Sequence, residues 1–201
     1  MVKRIGGVFL EKIEDAAQAT HVVAGGTGNS LRRTPKLMIG LCKTCNIVDL
    51  TWLIHSAKER KSLPCKDYLL VNDEVAESQY NFNMRDTLMR AGKMRSNRQS
   101  LLGGYSVFVC AGVAGNKAKD NRTPPLNEFH LILEAAGAKW LSSLPRSNLS
   151  KVIVIVSKID REAKTQLSVK TVAAAIKKGA RRTSTEELFH CIMTQHFILH
   201  C

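Results

Sequence analysis

The apolar residues of this chain come in short runs separated by glycine, proline and polar clusters. Val8-Phe9-Leu10-Glu11-Lys12-Ile13, entered from Gly6-Gly7, reads as a turn into a strand. His21-Val22-Val23-Ala24 reads as a short buried strand, and a glycine-rich loop follows it. Pro35 to Thr44 has the spacing of a helix, with Leu37, Ile39, Leu41 and Cys42 at apolar positions. Asn46 to Leu50 is a third strand. Thr51 is placed to cap a helix from Trp52 to Lys61, its inner face formed by Trp52, Leu53 or Ile54, and Ala57.

The texture changes between residues 63 and 100. Leu63-Pro64-Cys65 breaks the helix, Tyr68-Leu69-Leu70-Val71 looks extended, and Asn83 to Met94 has helical spacing at Met84, Leu88 and Ala91. This stretch reads as a connector containing one helix. A second block then opens with an alternating strand, Tyr105 to Cys110. Pro124-Pro125 starts a helix that Gly137 ends, and Trp140-Leu141 belongs to a short strand. Val152-Ile153-Val154-Ile155-Val156 is wholly apolar and β-branched, as in a parallel strand covered on both faces. Val169 to Lys178 is a small-residue helix closed by Gly179. Arg181-Arg182-Thr183 reads as a last strand, and Ser184 caps a helix from Thr185 to Gln195.

The two blocks repeat one another. Gly7, Val22-Val23, the Lys36 helix and the Trp52 helix find counterparts in Gly137, Val154-Ile155, the Val169 helix and the Glu187 helix, displaced by about 130 to 135 positions. One α/β unit is therefore used twice, in the order strand, helix, strand, strand, helix, strand, helix. The second copy carries a strand and a helix ahead of Gly137. The first has no room for them ahead of Gly6, so its first strand and most of its first helix are expected to be missing, as in a fragment.

Charge adds a direction. The net charge is +13. Residues 1–62 carry 10 basic and 5 acidic side chains, residues 63–100 carry 6 and 5, and residues 101–201 carry 14 and 7. A basic excess in two blocks fits a partner rich in phosphate. No apolar stretch has the length of a membrane span, so no membrane partner is expected. The six cysteines are scattered, and the start has no secretory apolar core, so reduced thiols are expected.

The strongest candidate chemistry lies between Gly25 and Met38. Thr34 is an N-cap type and Pro35 suits the first helical position, so Lys36 falls in the first turn, with Arg32 and Arg33 just before it. A helix start with these cations is an anion site. A phosphoserine dianion wants a lysine point charge and N–H donors, and a carboxylate wants the arginine fork. Arg33 and Lys36, three apart, can serve one groove.

Several features together resemble a known family. They are Thr20-His21-Val22-Val23, Asp49-Leu50-Thr51-Trp52-Leu53 with Ser56, and Arg33-Thr34-Pro35-Lys36 ahead of an apolar helix. Leu102-Gly103-Gly104-Tyr105 with Val113, and Leu144-Pro145-Arg146-Ser147, complete the set. With the duplicated layout, the chain resembles a tandem BRCT repeat of the kind that ends the DNA-damage checkpoint mediators. The resemblance implies an α/β fold of two BRCT domains, each a central parallel four-stranded sheet flanked by helices. Repeat 1 would occupy residues 1–62, the linker 63–100 and repeat 2 101–201.

The resemblance also implies a function. The expected module is a non-enzymatic reader of phosphoserine peptides in the nucleus, with no cofactor, no metal and no small-molecule substrate. The expected partner is the phosphorylated C-terminal tail of a damage-marked histone variant, bound between the repeats. Lys36 and Thr34 would hold the phosphate. Arg33, with Val113, Ala114 and Gly115 of the second repeat, would read the peptide end at +3. Two departures stand out: the Ser/Thr-Gly pair of the family's first strand would precede Met1, and Glu187 or Leu188 occupies a place the family gives to a large aromatic residue.

Competing motifs are weaker. The glycine loop lacks the Gly-Lys-Ser/Thr ending of a P-loop. Cys42-Lys43-Thr44-Cys45 has metal-ligand spacing but no second pair. His190, His196, His200 and Cys201 fit a frayed terminus better than a ligand set. Lys177, Lys178, Arg181 and Arg182 form the densest basic cluster, either a solvated face or a contact for DNA or a nucleosome.

Overall fold

A computed structural model describes residues 1–25, 30–113 and 124–197. The described residues divide into two compact units, one within 1–99 with 192–196, the other within 100–191 with 197.

The first unit holds a small parallel sheet of β1 (Val22–Val23) and β2 (Ile47–Val48), with Val22 opposite Ile47 and Val23 opposite Val48. Helix α1 (Pro35–Lys43) connects them, and α2 (Leu50–Glu59) follows β2. Gly40 is where α1 meets the sheet: a Cβ there would lie 2.5 Å from Val22 Cγ2. Leu37, Met38, Ile39 and Leu41 of α1 are buried with Ile47 and Val48. Thr44 Oγ1 donates to Thr20 O (2.8 Å) and Asn46 Nδ2 to the same oxygen (3.1 Å), tying the entrance of β1 to that of β2.

Helix α2 begins ahead of the point its sequence signals. Asp49, not Thr51, is the N-cap, its Oδ1 accepting from the N–H of Thr51 (2.7 Å) and of Trp52 (3.3 Å). Trp52 and Ser56 then hold the chain beyond the helix: Trp52 Nε1 donates to Leu63 O (2.9 Å), and Ser56 Oγ accepts from Leu63 N (3.2 Å). The His21 ring stacks on the Trp52 indole with centroids 4.6 Å apart. Of the two alternatives for the inner face, Ile54 is exposed and Leu53 half-buried. The segment after the break pairs antiparallel with β2 through Val48 and Leu69, with Leu70 N donating to Ile47 O (2.9 Å) and Asp49 N to Tyr68 O (3.0 Å).

Two expectations for this half need correction. Residues 8–13 form no strand, and Val8 and Phe9 are exposed. The counterpart strand in the second unit is held by a neighbouring strand, and the described residues of the first unit offer no such neighbour. Residues 63–100 also hold two helices rather than one, α3 (Glu74–Tyr80) and α4 (Met84–Ser96), each capped by the side chain before it, Asp73 and Asn83.

The second unit is the fuller α/β repeat. Strands β3 (Ser106–Val109), β4 (Lys139–Leu141), β5 (Val152–Val156) and β6 (Arg181–Ser184) form one parallel sheet in the order β4-β3-β5-β6. All five residues of β5 are buried, as its apolar run implies. Helix α5 (Leu126–Ala135) links β3 to β4, and α6 (Asp160–Ser168) and α7 (Lys170–Lys177) link β5 to β6. Helix α6 has no strong pattern to announce it: its two apolar residues are Ala163 and Leu167. Gln166 of α6 closes the strand ends, accepting from Ser157 N (2.7 Å) and donating to Ala111 O (3.0 Å). Helix α8 (Thr185–Thr194) starts with a reciprocal cap, Ser184 Oγ accepting from Glu187 N (3.2 Å) and Glu187 Oε2 from Ser184 N (2.7 Å). Leu188 is buried and Glu187 is spent on this cap, so the two residues at the family's aromatic position fill separate roles.

Candidate functional site

The start of α1 is built as its sequence implies. Thr34 is extended (φ −96°, ψ 157°) and its Oγ1 accepts from Leu37 N at 3.2 Å. Pro35 brings no N–H of its own, which leaves the N–H of Lys36 at the open end of the first turn. The Thr34 hydroxyl still has its proton to donate. Lys36 is exposed, and one of its ammonium protons goes to the Glu11 carbonyl. An ammonium has three donors, so this contact anchors the side chain and leaves two for an anion.

Arg33 is half-buried and held from the connector. Its guanidinium carbon lies 5.2 Å from the centre of the Tyr80 ring, and its backbone N–H points to Tyr80 Oη at 3.4 Å. A cation on an aromatic face at this distance gains roughly 0.5–1 kcal/mol at an exposed site. The ring thus gives the guanidinium a resting place on the connector.

Asp73 sets the loop that carries these residues. One carboxylate oxygen accepts from Ser30 Oγ (2.8 Å) and from Ala76 N (3.0 Å), the other from Leu31 N (2.7 Å). The same side chain thus caps α3 and pins residues 30 and 31, two positions ahead of Arg33. Burial alone would raise its pKa, but the bonds from Leu31, Ala76 and Ser30 outweigh it and hold the carboxyl below its ordinary value. Ser30, Arg33, Thr34 and Lys36 therefore stand on a loop and helix start braced by Asp73 and Tyr80.

Asp73 and Tyr80 are absent from the sequence-derived candidates. Asp73-Glu74 ahead of Val75-Ala76 is a legible helix start, and it could have revealed α3. Nothing in the sequence links Asp73 to Ser30 or Tyr80 to Arg33, more than 40 positions away.

The remaining candidates lie in the second unit. Val113 is buried, its N–H donating to Cys110 O at 3.2 Å. Ala114 and Gly115 lie outside the described residues. Lys177 and Lys178 close α7 and are exposed, as are Arg181 and Arg182 on β6. Arg182 lies near Glu187, whose carboxyl is held low chiefly by the Ser184 N–H, with further help from Ser184 Oγ, Thr183 and Arg182. Among the described residues, no group of three or more His, Cys, Asp or Glu side chains is placed to hold a metal ion. Burial pushes the Cys42 thiol up to about 11. His200 and Cys201 lie outside the described residues. No described helix is long and apolar enough to cross a membrane.

Comparison with known proteins bears on the family and the fold. The chain is 33% identical over 140 residues to mediator of DNA damage checkpoint protein 1 of Homo sapiens, a match spanning 70% of this chain and 6% of that protein. The protein of the same name in Mus musculus is 32% identical over 154 residues, spanning 76% of this chain and 8% of the relative. The match thus takes in a small part of these relatives' length. Among solved structures, the BRCT5-BRCT6 domains of Brc1 from S. pombe superpose with a TM-score of 0.71 at 17% identity, covering 98% of this chain and 87% of that one. No family model matches the chain.

Proposed function

Because this chain is a tandem BRCT repeat, similar to mediator of DNA damage checkpoint protein 1, we propose that it is a phosphopeptide-binding module of the DNA damage response. Residues 1–62 form its first repeat, 63–100 the linker and 101–201 the second repeat. The module acts in the nucleus, carries out no reaction of its own, and reads the phosphorylated C-terminal tail of a histone variant at chromatin breaks.

The observation that carries this reading is the braced start of α1. Lys36 and Thr34 offer a point charge, a hydroxyl and the open first turn of a helix, the set a phosphate dianion wants. Arg33, oriented on Tyr80, presents a planar fork three residues away, suited to a peptide's terminal carboxylate. A phosphoserine a few residues from a free C-terminus satisfies both.

The test is a titration of fluorescent tail peptides in four forms: phosphorylated or not, each with a free or amidated end. Phosphorylation should tighten binding at least tenfold, and Lys36→Met should erase that gain. Amidation should weaken binding to wild type and leave Arg33→Ala indifferent. Equal binding of phosphorylated and unphosphorylated peptides would end the proposal.

A further inference from the structure

We propose that the N-terminal edge of the second unit's sheet is a surface for the sugar–phosphate backbone of duplex DNA, formed by Lys139, Lys151, Lys177, Lys178 and Arg181. In the sequence only the last three form a cluster. Parallel register adds the others. Ser106 stands opposite both Lys139 and Val152, so Lys139 opens β4 level with the start of β5, and Lys151 is the residue before it. Arg181 opens β6 opposite Ile153. Lys177 and Lys178 end α7 and lead through Gly179 into that strand. All five cations are exposed. They follow four strand starts, a row of about 14 Å from the usual inter-strand spacing.

The centre of the row is defined by contact. A Cβ on Gly104 would lie 3.8 Å from Lys151 Nζ, so that ammonium rests over Gly104. The Arg181 guanidinium carbon lies 5.9 Å from the centre of the next residue's ring, Tyr105. A cation just ahead of β5 and one opening β6 therefore meet at one turn. Gly103, Gly104, Gly137 and Gly179 are exposed at the same edge, with the small Ser100 side chain lying against Gly103 and Gly137, so the floor is low. No acidic residue occurs between Lys164 and Thr185. Glu134, near the end of α5, sits 3.4 Å from His130 Nε2. Arg182 is left out because it lies by Glu187.

A flat row of point charges suits a ligand whose charges repeat along a stiff backbone. Peptides are captured in side-chain pockets or by adding a strand; strand starts on a glycine floor provide neither. Lysines serve phosphates as point charges without demanding a fixed geometry. This surface rests on the second unit alone and stands whatever the start of α1 binds.

The test is titration of a fluorescent 20-base-pair duplex with the whole chain across a range of salt concentrations. Five phosphate contacts predict a slope of log K against log salt of about −4.5. The variant K151Q/K177Q/K178Q should lower its magnitude by about 2.7 and weaken binding roughly tenfold or more at moderate salt, with circular dichroism unchanged. The control K58Q/K61Q/K66Q removes the same charge from exposed sites of the first unit and should change the slope little. An equal effect of the two triple variants would overturn the proposal in favour of general charge attraction. Displacement of the duplex by polyglutamate as readily as by unlabelled DNA would overturn it in favour of an acidic protein.

Discussion

Removing the Asp73 carboxylate should loosen both α3 and the loop that presents Arg33 and Lys36. In Asp73→Ala, the α3 cap bond from Ala76 N disappears, a loss of about 1 kcal/mol. The Leu31 N–H loses a charged acceptor at 2.7 Å, and Leu31 itself is only 3% exposed. A donor stranded in such a place costs about 1–2 kcal/mol, while the Ser30 hydroxyl can turn to water at little cost. The expected sum is about 2–3 kcal/mol, or a fall in melting temperature of roughly 5–10 °C for a chain of this size. Urea unfolding followed by circular dichroism reads the stability, and the phosphopeptide titration reads the site. Affinity should drop about fivefold, because the freed loop must be ordered again on binding. Asp73→Asn keeps one acceptor oxygen and should lose about half as much stability. The acid limb gives a second check. Because the folded carboxyl sits below its ordinary value of 3.8, its contribution is present above that value and disappears as pH falls through the folded pKa. Wild-type and Asp73→Asn stabilities should therefore converge in strong acid. A melting temperature within a degree of wild type, or undiminished peptide affinity in Asp73→Ala, would refute the bracing role.

Gly40→Ala should destabilise the chain by about 1–2 kcal/mol despite alanine's better helix propensity, since the added methyl would lie 2.5 Å from Val22 Cγ2; pairing it with Val22→Ala should recover much of the loss in a double-mutant urea cycle. Burial against Trp52 lowers the His21 pKa below 6.5, so the unfolded chain takes up a proton first and stability should fall as pH drops below about 6.5; His21→Phe should flatten that limb in thermal melts at a series of pH values. Gln166→Leu should cost about 2–3 kcal/mol by urea unfolding, because it strands the Ser157 N–H and the Ala111 carbonyl that its amide bridges.

The elements legible in the sequence are those whose signals are local. The β-branched run of β5 suits a strand covered on both faces, Thr34-Pro35 suits a helix start, and Ser184 signals the cap of α8. Local chemistry also places Lys36 in the first turn of α1 with Arg33 just ahead of it. The duplication is legible for the same reason: two copies of one pattern of glycines, apolar runs and capped helices repeat at a fixed distance.

Long-range partners decided the rest. A strand is defined by its neighbour, so the apolar run that opens residues 8–13 produced none where the described residues offer no partner, while Leu69, in a connector, joined β2. Helices α3 and α6 are short and polar, and depend on Asp73 and Gln166 bonding to residues remote in sequence. No sequence period encodes that Asp73 braces Ser30 and Leu31, that Tyr80 carries Arg33, or that parallel register sets Lys139 and Lys151 in line with Arg181. Residue types and their near neighbours determined which chemistry was present. Only the folded chain, by bringing distant backbone and side-chain groups within hydrogen-bond and van der Waals reach, decided which of those groups act together.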